Sequence, residues 1–217
     1  MNRTIRGVFL IILGLLMSVS AAAIFARYEY QAEIAGDNAE LLLEALTEDI
    51  LVRKELERYN PAQPETPPTT EMPKTTIHSE SAARPESTWK GYEMVGIVRI
   101  PSLGMELPVL DSWDYDLLQI APCRYSGSVD GGNLILLGHN YKRHFAPLKK
   151  IKVGETVEFC DVNGTVTQYE VAVTEVLQKT ELERLTASNH DLTLFTCSNG
   201  GYSRFVVRCQ RMTGDWV

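Results

Sequence analysis

Three side chains far apart in the chain have the chemistry of a nucleophilic acyl-transfer site. Cys197 ends the run Asp191-Leu-Thr-Leu-Phe-Thr-Cys, and Arg204 opens the run Arg204-Phe-Val-Val-Arg208. His139 follows the apolar stretch Asn133-Leu-Ile-Leu-Leu-Gly. A thiol becomes a useful nucleophile when neighbouring groups favour its thiolate. An imidazole can pass protons to and from the reacting atoms, and a guanidinium can stabilise a developing oxyanion. Arg204 and Arg208 compete for the last role. They are four apart, so on a strand they share a face and parity does not choose between them; Arg204 lies nearer the turn that carries Cys197.

The elements that must position these groups read as strands. Leu192–Thr196 and Arg204–Val207 are rich in β-branched and aromatic residues and flank Ser198-Asn-Gly-Gly201, which is turn chemistry. Asn133–Leu137, Met94–Ile100, Met105–Leu110, Glu155–Cys160 and Thr165–Glu175 have the same character. Turn signals at Pro101–Gly104, Asp130–Gly132 and Asp161–Gly164 separate several of them. Brief helical interruptions are expected at Tyr115–Ile120, Phe145–Lys149 and Glu181–Leu185. The whole is mainly β, in the pattern of a β-barrel with short helices.

The apolar strand ending in Gly-His, the Thr-Leu-Phe-Thr-Cys run and the Arg-Phe-Val-Val-Arg strand occur in the order His, Cys, Arg. Over roughly Gly91–Met212 the chain resembles a sortase. The resemblance implies a closed sortase-type β-barrel with His139, Cys197 and Arg204 as catalytic residues; the family pattern places its arginine before an apolar triplet, which selects Arg204. It implies a cysteine transpeptidase of Gram-positive surfaces. Such an enzyme cleaves a C-terminal sorting signal similar to Leu-Pro-x-Thr-Gly on a secreted protein through a thioacyl-enzyme. It then transfers the acyl group to an amine of a peptidoglycan precursor or a pilin. No organic cofactor is implied, and no acidic cluster is specific enough to assign calcium. The Leu177–Asn189 connection is where such enzymes read the signal. The Asp-Pro-aromatic motif frequent in pilin-polymerising members is missing before Gly91. The reading from a different class is a non-catalytic anchored barrel that binds or scaffolds envelope proteins, with Cys197 merely packed.

The rest of the chain is consistent with such a setting. It has 217 residues, 24.3 kDa and a net charge of −7, a balance that argues against a nucleic-acid partner. Val8–Phe25 is almost continuously apolar and follows Arg3 and Arg6. That reads as a single-pass anchor (residues 1–27) with the N-terminus in the cytoplasm and the remainder outside, in preference to a signal peptide cleaved near Ala21–Ala23. Residues 28–59 carry Leu42, Leu43, Leu46, Ile50 and Leu51 at helical spacing, an amphipathic stalk helix with Asp37 or Asn38 as its cap. Residues 60–87 alternate proline with Thr, Glu and Ser and read as a disordered linker, leaving 88–217 for the barrel.

Four cysteines without Cys-x-x-Cys spacing make neither a disulfide framework nor a zinc site. Cys123, Cys160 and Cys209 read as buried thiols, with oxidation of a pair as the alternative. His139 and His144, five apart, invite a metal, but no further ligands stand nearby, so His144 reads as a solvated loop residue. His78 and His190 read as exposed or structural.

Overall fold

The computed structural model describes residues 3–59, 87–89, 91–187 and 189–212; residues 60–86 of the expected linker, with His78, lie outside them, whereas Ser87, expected to end it, is already in a strand. Among the described residues, nine strands follow one long helix, α1 (Arg3–Tyr59). They are β1 (Ser87–Trp89), β2 (Tyr92–Ile100), β3 (Met105–Leu110), β4 (Cys123–Ser126), β5 (Leu134–Gly138), β6 (Thr156–Asp161), β7 (Val166–Gln178), β8 (Leu192–Ser198) and β9 (Ser203–Arg211). A short helix, α2 (Leu182–Thr186), interrupts the β7–β8 connection.

Strands β2 to β9 close into a barrel in the order β2-β3-β4-β5-β8-β9-β7-β6, with β6 returning to β2; β1 adds a short ribbon along β2. Pairings β3–β4 and β5–β8 are parallel and the others antiparallel. Closure leaves no long open edge, which for so small a sheet removes the template for edge-to-edge association. The interior is filled by alternate residues of neighbouring strands. Leu134 and Leu136 face Leu192 and Leu194, which face Cys209 and Val207, and all six are almost fully buried.

The turns follow from local chemistry. Gly104 takes a left-handed conformation after the tight Pro101–Leu103 turn. At the β6–β7 hairpin, Asp161 Oδ1 accepts from the backbone N–H groups of Asn163 and Thr165 at 2.9 and 2.8 Å, an Asx turn completed by Gly164 at φ +76°. The helical interruptions expected around residues 115–120 and 145–149 are single 3₁₀ turns, Leu117–Gln119 and Ala146–Lys150. Strand β4 was not anticipated: it has only four residues and a register shift between Arg124 and Ser126, too little for a period of two to emerge.

Helix α1 meets two environments. From Val8 to Phe25 its large apolar side chains are exposed, and this is a helix long and apolar enough to cross a membrane. Farther along, Ala35, Ala39, Leu42, Leu46 and Ile50 form one buried stripe against the barrel. The helix runs on through Asp37 and Asn38 without interruption, so neither is a cap. Asp37 instead pairs with Arg143 at 2.6 Å, as does Glu40 at 2.6 Å, with Glu33 at 3.4 Å. Lys54 reaches the Gly164 carbonyl at 2.9 Å.

His144, expected in solvent, is fully buried between the barrel and α1, its Nε2 at 3.2 Å from the Ala35 carbonyl. As a neutral ring with the proton on Nε2 it donates this bond, and Nδ1 has no partner. Burial, reinforced by the nearby His139 and Arg143, pushes its pKa down to about 4. Because the folded value lies below the unfolded one, stability is complete above pH 6.5 and is lost as pH falls toward 4. Urea titrations at pH 7 and pH 4 should show a loss on the order of 3 kcal/mol from this group, and His144→Asn should flatten that part of the profile. An unchanged slope in the variant would place the acid sensitivity elsewhere.

Candidate active site

The three predicted residues emerge together at one end of three adjacent strands. In the parallel pair β5–β8 the register runs from Leu134↔Leu192 to Gly138↔Thr196. His139, the first residue past β5, therefore neighbours Cys197, the next residue of β8, at about the 5 Å backbone spacing of adjacent strands. In the antiparallel pair β8–β9, Cys197 is opposite Arg204. Cys197 thus stands in the middle, with an imidazole on one flank and a guanidinium on the other. All three are half-buried.

Local details hold this arrangement. The Thr196 hydroxyl, fully buried, donates to the Gly138 carbonyl at 2.8 Å, locking β8 to β5 one residue below the reactive pair. A Cβ on Gly138 would come within 2.6 Å of the buried Phe145 ring, so only glycine allows that ring to pack under the strand end that presents His139. The β8–β9 connection is a single turn, Asn199–Gly201, with Gly200 and Gly201 at φ +65° and +92°. Arg204 Nη1 donates back to the carbonyls of Gly201 and Ser203 at 2.9 and 3.0 Å. This ties the guanidinium to the turn beside the thiol.

The competing arginine has a different task. Arg208 is almost fully buried, pairs with Glu175 at 2.6 Å, and donates to the carbonyls of Arg184 and Leu185 at 2.6 and 3.4 Å. It fastens α2, and with it the β7–β8 connection, onto the sheet. On the same face as Cys197, Phe195 and Val206 are buried, and Tyr125 of β4 meets Phe195 edge-on at 5.3 Å. The β7–β8 connection and this aromatic pair lie on either side of the strands that carry the thiol.

The thiols are sharply divided. Cys123, Cys160 and Cys209 are buried and free, and burial pushes Cys123 and Cys209 up to about 12 and raises Cys160. Cys197 alone among the four is partly accessible. On the other flank, burial lowers the pKa of His139, whose ring stacks on Tyr141 at 4.5 Å and 27°. Tyr141, two residues beyond His139, and the Thr196 lock were not singled out in the sequence; Arg208 was, as the competitor of Arg204, but without its buried partners. The spacing of Tyr141 from His139 was the only local signal among them. Chemically, a thiol between a proton carrier and a fixed cation can attack a carbonyl, hold an acyl group and release it to another nucleophile.

Comparison with known proteins agrees with the geometry. The sortase-domain family model matches residues 98–212. Sortase A of Bacillus anthracis is 33% identical over 113 residues, 48% of this chain and 52% of that protein, so the chain spans about half the length of this curated relative. The crystal structure of sortase C1 from Streptococcus suis is 27% identical with a TM-score of 0.51, covering 58% of this chain and 76% of the other. Sortase C from Clostridium perfringens, at 19% identity, shares the fold over 89% of this chain and 99% of its own, with a TM-score of 0.51. With the family match spanning more than half of its residues, the chain belongs to the sortase family.

Proposed function

We propose that this chain is a membrane-anchored cysteine transpeptidase acting on secreted proteins with a C-terminal sorting signal of the Leu-Pro-x-Thr-Gly kind. The observation that carries the reading is the placement of the single accessible thiol, Cys197, between His139 and Arg204 on three neighbouring strands. The Cys197 thiolate attacks the threonine carbonyl carbon. The resulting oxyanion takes hydrogen bonds from the Arg204 guanidinium and from backbone N–H groups after Cys197. On collapse the C–N bond breaks, and the glycine amine leaves with a proton from the His139 imidazolium. An acceptor amine then gives its proton to neutral His139, attacks the thioester and expels the Cys197 thiolate.

Burial depresses the pKa of His139, which disfavours the imidazolium that the first step needs. The acceptor is an amine of a lipid-linked peptidoglycan precursor or of a pilin. Arg3 and Arg6 ahead of the apolar part of α1 support a cytoplasmic N-terminus and a barrel outside the membrane. The β7–β8 connection, fastened by Arg208, reads the signal.

Full-length chain in detergent should cleave a panel of sorting-signal peptides and form an adduct when an amine such as triglycine is added. Cys197→Ala should do neither, and release of acid alone at every amine concentration would make the protein a hydrolase. A thiol reagent should modify one cysteine of the native chain, Cys197; an inert Cys197 would leave only a scaffolding barrel. The two arginines should separate by readout. Arg204→Lys keeps the charge but loses the fork, and should lower kcat about 10²-fold with stability within about 0.5 kcal/mol. Arg208→Leu takes from Glu175 its buried partner, leaving it only the exposed Arg184 at 3.1 Å, and should cost about 3 kcal/mol in denaturant unfolding. The reverse assignment of effects would move the oxyanion role to Arg208.

A further inference from the structure

The loop that leaves His139 is bound to α1 along its length. Tyr28 of α1 meets the Tyr141 ring edge-on at 5.4 Å, and its hydroxyl donates to the Asn140 carbonyl at 3.0 Å. Tyr141 in turn stacks on the imidazole of His139. Farther up the helix, Arg143 takes the carboxylates of Glu33, Asp37 and Glu40, and His144 takes the Ala35 carbonyl. Asn140, Tyr141, Arg143 and His144 therefore each touch the same helix. Gly36 sits where a Cβ would run into the Arg143 side chain, so the helix can approach the loop closely at that point. Tyr28 is three residues past Phe25, the end of the apolar stretch, which at 1.5 Å per residue is about 4.5 Å along the axis.

We propose that the first turns of α1 beyond its apolar stretch are a working part of the active site: Tyr28, acting through Tyr141, is a positioning residue that fixes the His139 ring beside Cys197. This rests on the transpeptidase reading above, and it ties the membrane anchor to the reacting groups. The physical link is short. Tyr141 covers one face of the imidazole, keeps water from it and sets its plane; Tyr28 keeps Tyr141 from swinging into solvent, where its amphipathic ring would otherwise be free to turn. Burial lowers the His139 pKa, and this stack covers one face of the ring. The titratable and charged groups around the ring are Cys197 on β8, Arg204 beyond it on β9, Tyr141, Arg143 and His144 on its own loop, and Tyr28 with the adjoining Glu29 on α1.

The test uses the full chain in phosphatidylglycerol nanodiscs, unmodified and as Tyr28→Ala, Tyr28→Phe and Tyr141→Leu. Two readouts are taken: the NMR titration midpoint of the His139 ring, and kcat and KM on a sorting-signal peptide. Tyr28→Ala should raise the midpoint by about half a unit toward the ordinary imidazole value and lower kcat about tenfold, with KM for the peptide unchanged. Tyr28→Phe, which keeps the ring, should restore most of both. Tyr141→Leu removes the stack from the barrel side with α1 still seated, and should reproduce the Tyr28→Ala shift. A Tyr28→Ala or Tyr141→Leu chain with the midpoint and kcat of the unmodified one would overturn the proposal. So would a Tyr28→Phe chain as impaired as Tyr28→Ala, since the hydroxyl rather than the stack would then carry the effect. If the unmodified chain turns over no peptide, it is the transpeptidase reading that fails, and the ring titration alone decides the positioning role.

Discussion

The site depends on register. Strand β8 pairs in parallel with β5 on one side and antiparallel with β9 on the other, and only when both registers hold does Cys197 stand between His139 and Arg204. A slip of one residue would turn every side chain of β8 over, presenting Thr196 where the thiol should be and driving charge into the barrel from β9. Several independent devices resist that slip. Leu192 and Leu194 are buried in the interior, the Thr196 hydroxyl is bonded to the Gly138 carbonyl, and the Asn199–Gly201 turn is too short to let β9 shift against β8. The reactive groups sit just past the last interior pair. There the strands are still held, yet side chains begin to reach solvent.

Position within this frame, rather than residue type, decides what each group does. Two arginines on the same face of β9 differ by four residues and by almost everything else. Arg208 is sealed against Glu175 and the carbonyls of α2, where an unpaired charge would be costly, so its fork is fully committed to structure. Arg204, at the strand mouth, spends one nitrogen on the turn and stays half-buried beside the thiol. The four cysteines divide in the same way. Three lie where desolvation disfavours a thiolate, and the fourth lies at the strand exit.

What could be read in advance follows from which interactions are local. Strands such as Met105–Leu110 carry their period and bounding turns in a few consecutive residues, and Asp161–Gly164 contains the whole chemistry of its turn, so both were legible. Motif order singled out His139, Cys197 and Arg204 as candidates, although strand parity could not separate Arg204 from Arg208. That distinction is made by Glu175 of β7 and by α2 in the β7–β8 connection. His144 was misjudged for a related reason. A histidine among Lys142, Arg143 and Phe145 looks solvated until Ala35, 109 residues earlier, is laid over it. The stripe from Ala35 to Ile50 showed that residues 28–59 form a helix with one apolar face, but not what that face would cover.

That covering gives α1 its unusual character. One continuous helix is apolar all round over Val8–Phe25 and apolar on one side only over Ala35–Ile50, the difference expected between a helix surrounded by lipid and one leaning on a protein surface. Because the two halves share an unbroken backbone ladder, there is no hinge between the apolar stretch and the docked face, and the angle of one sets the angle of the other. A flexible tether would let the barrel sample all orientations above the surface. A docked helix that touches the loop after His139 within its first turns beyond Phe25 instead holds that end of the barrel close to where the apolar stretch stops. Restricting orientation in this way removes rotational freedom before any substrate binds, and that entropy of alignment is then lost once, on folding, rather than at each turnover.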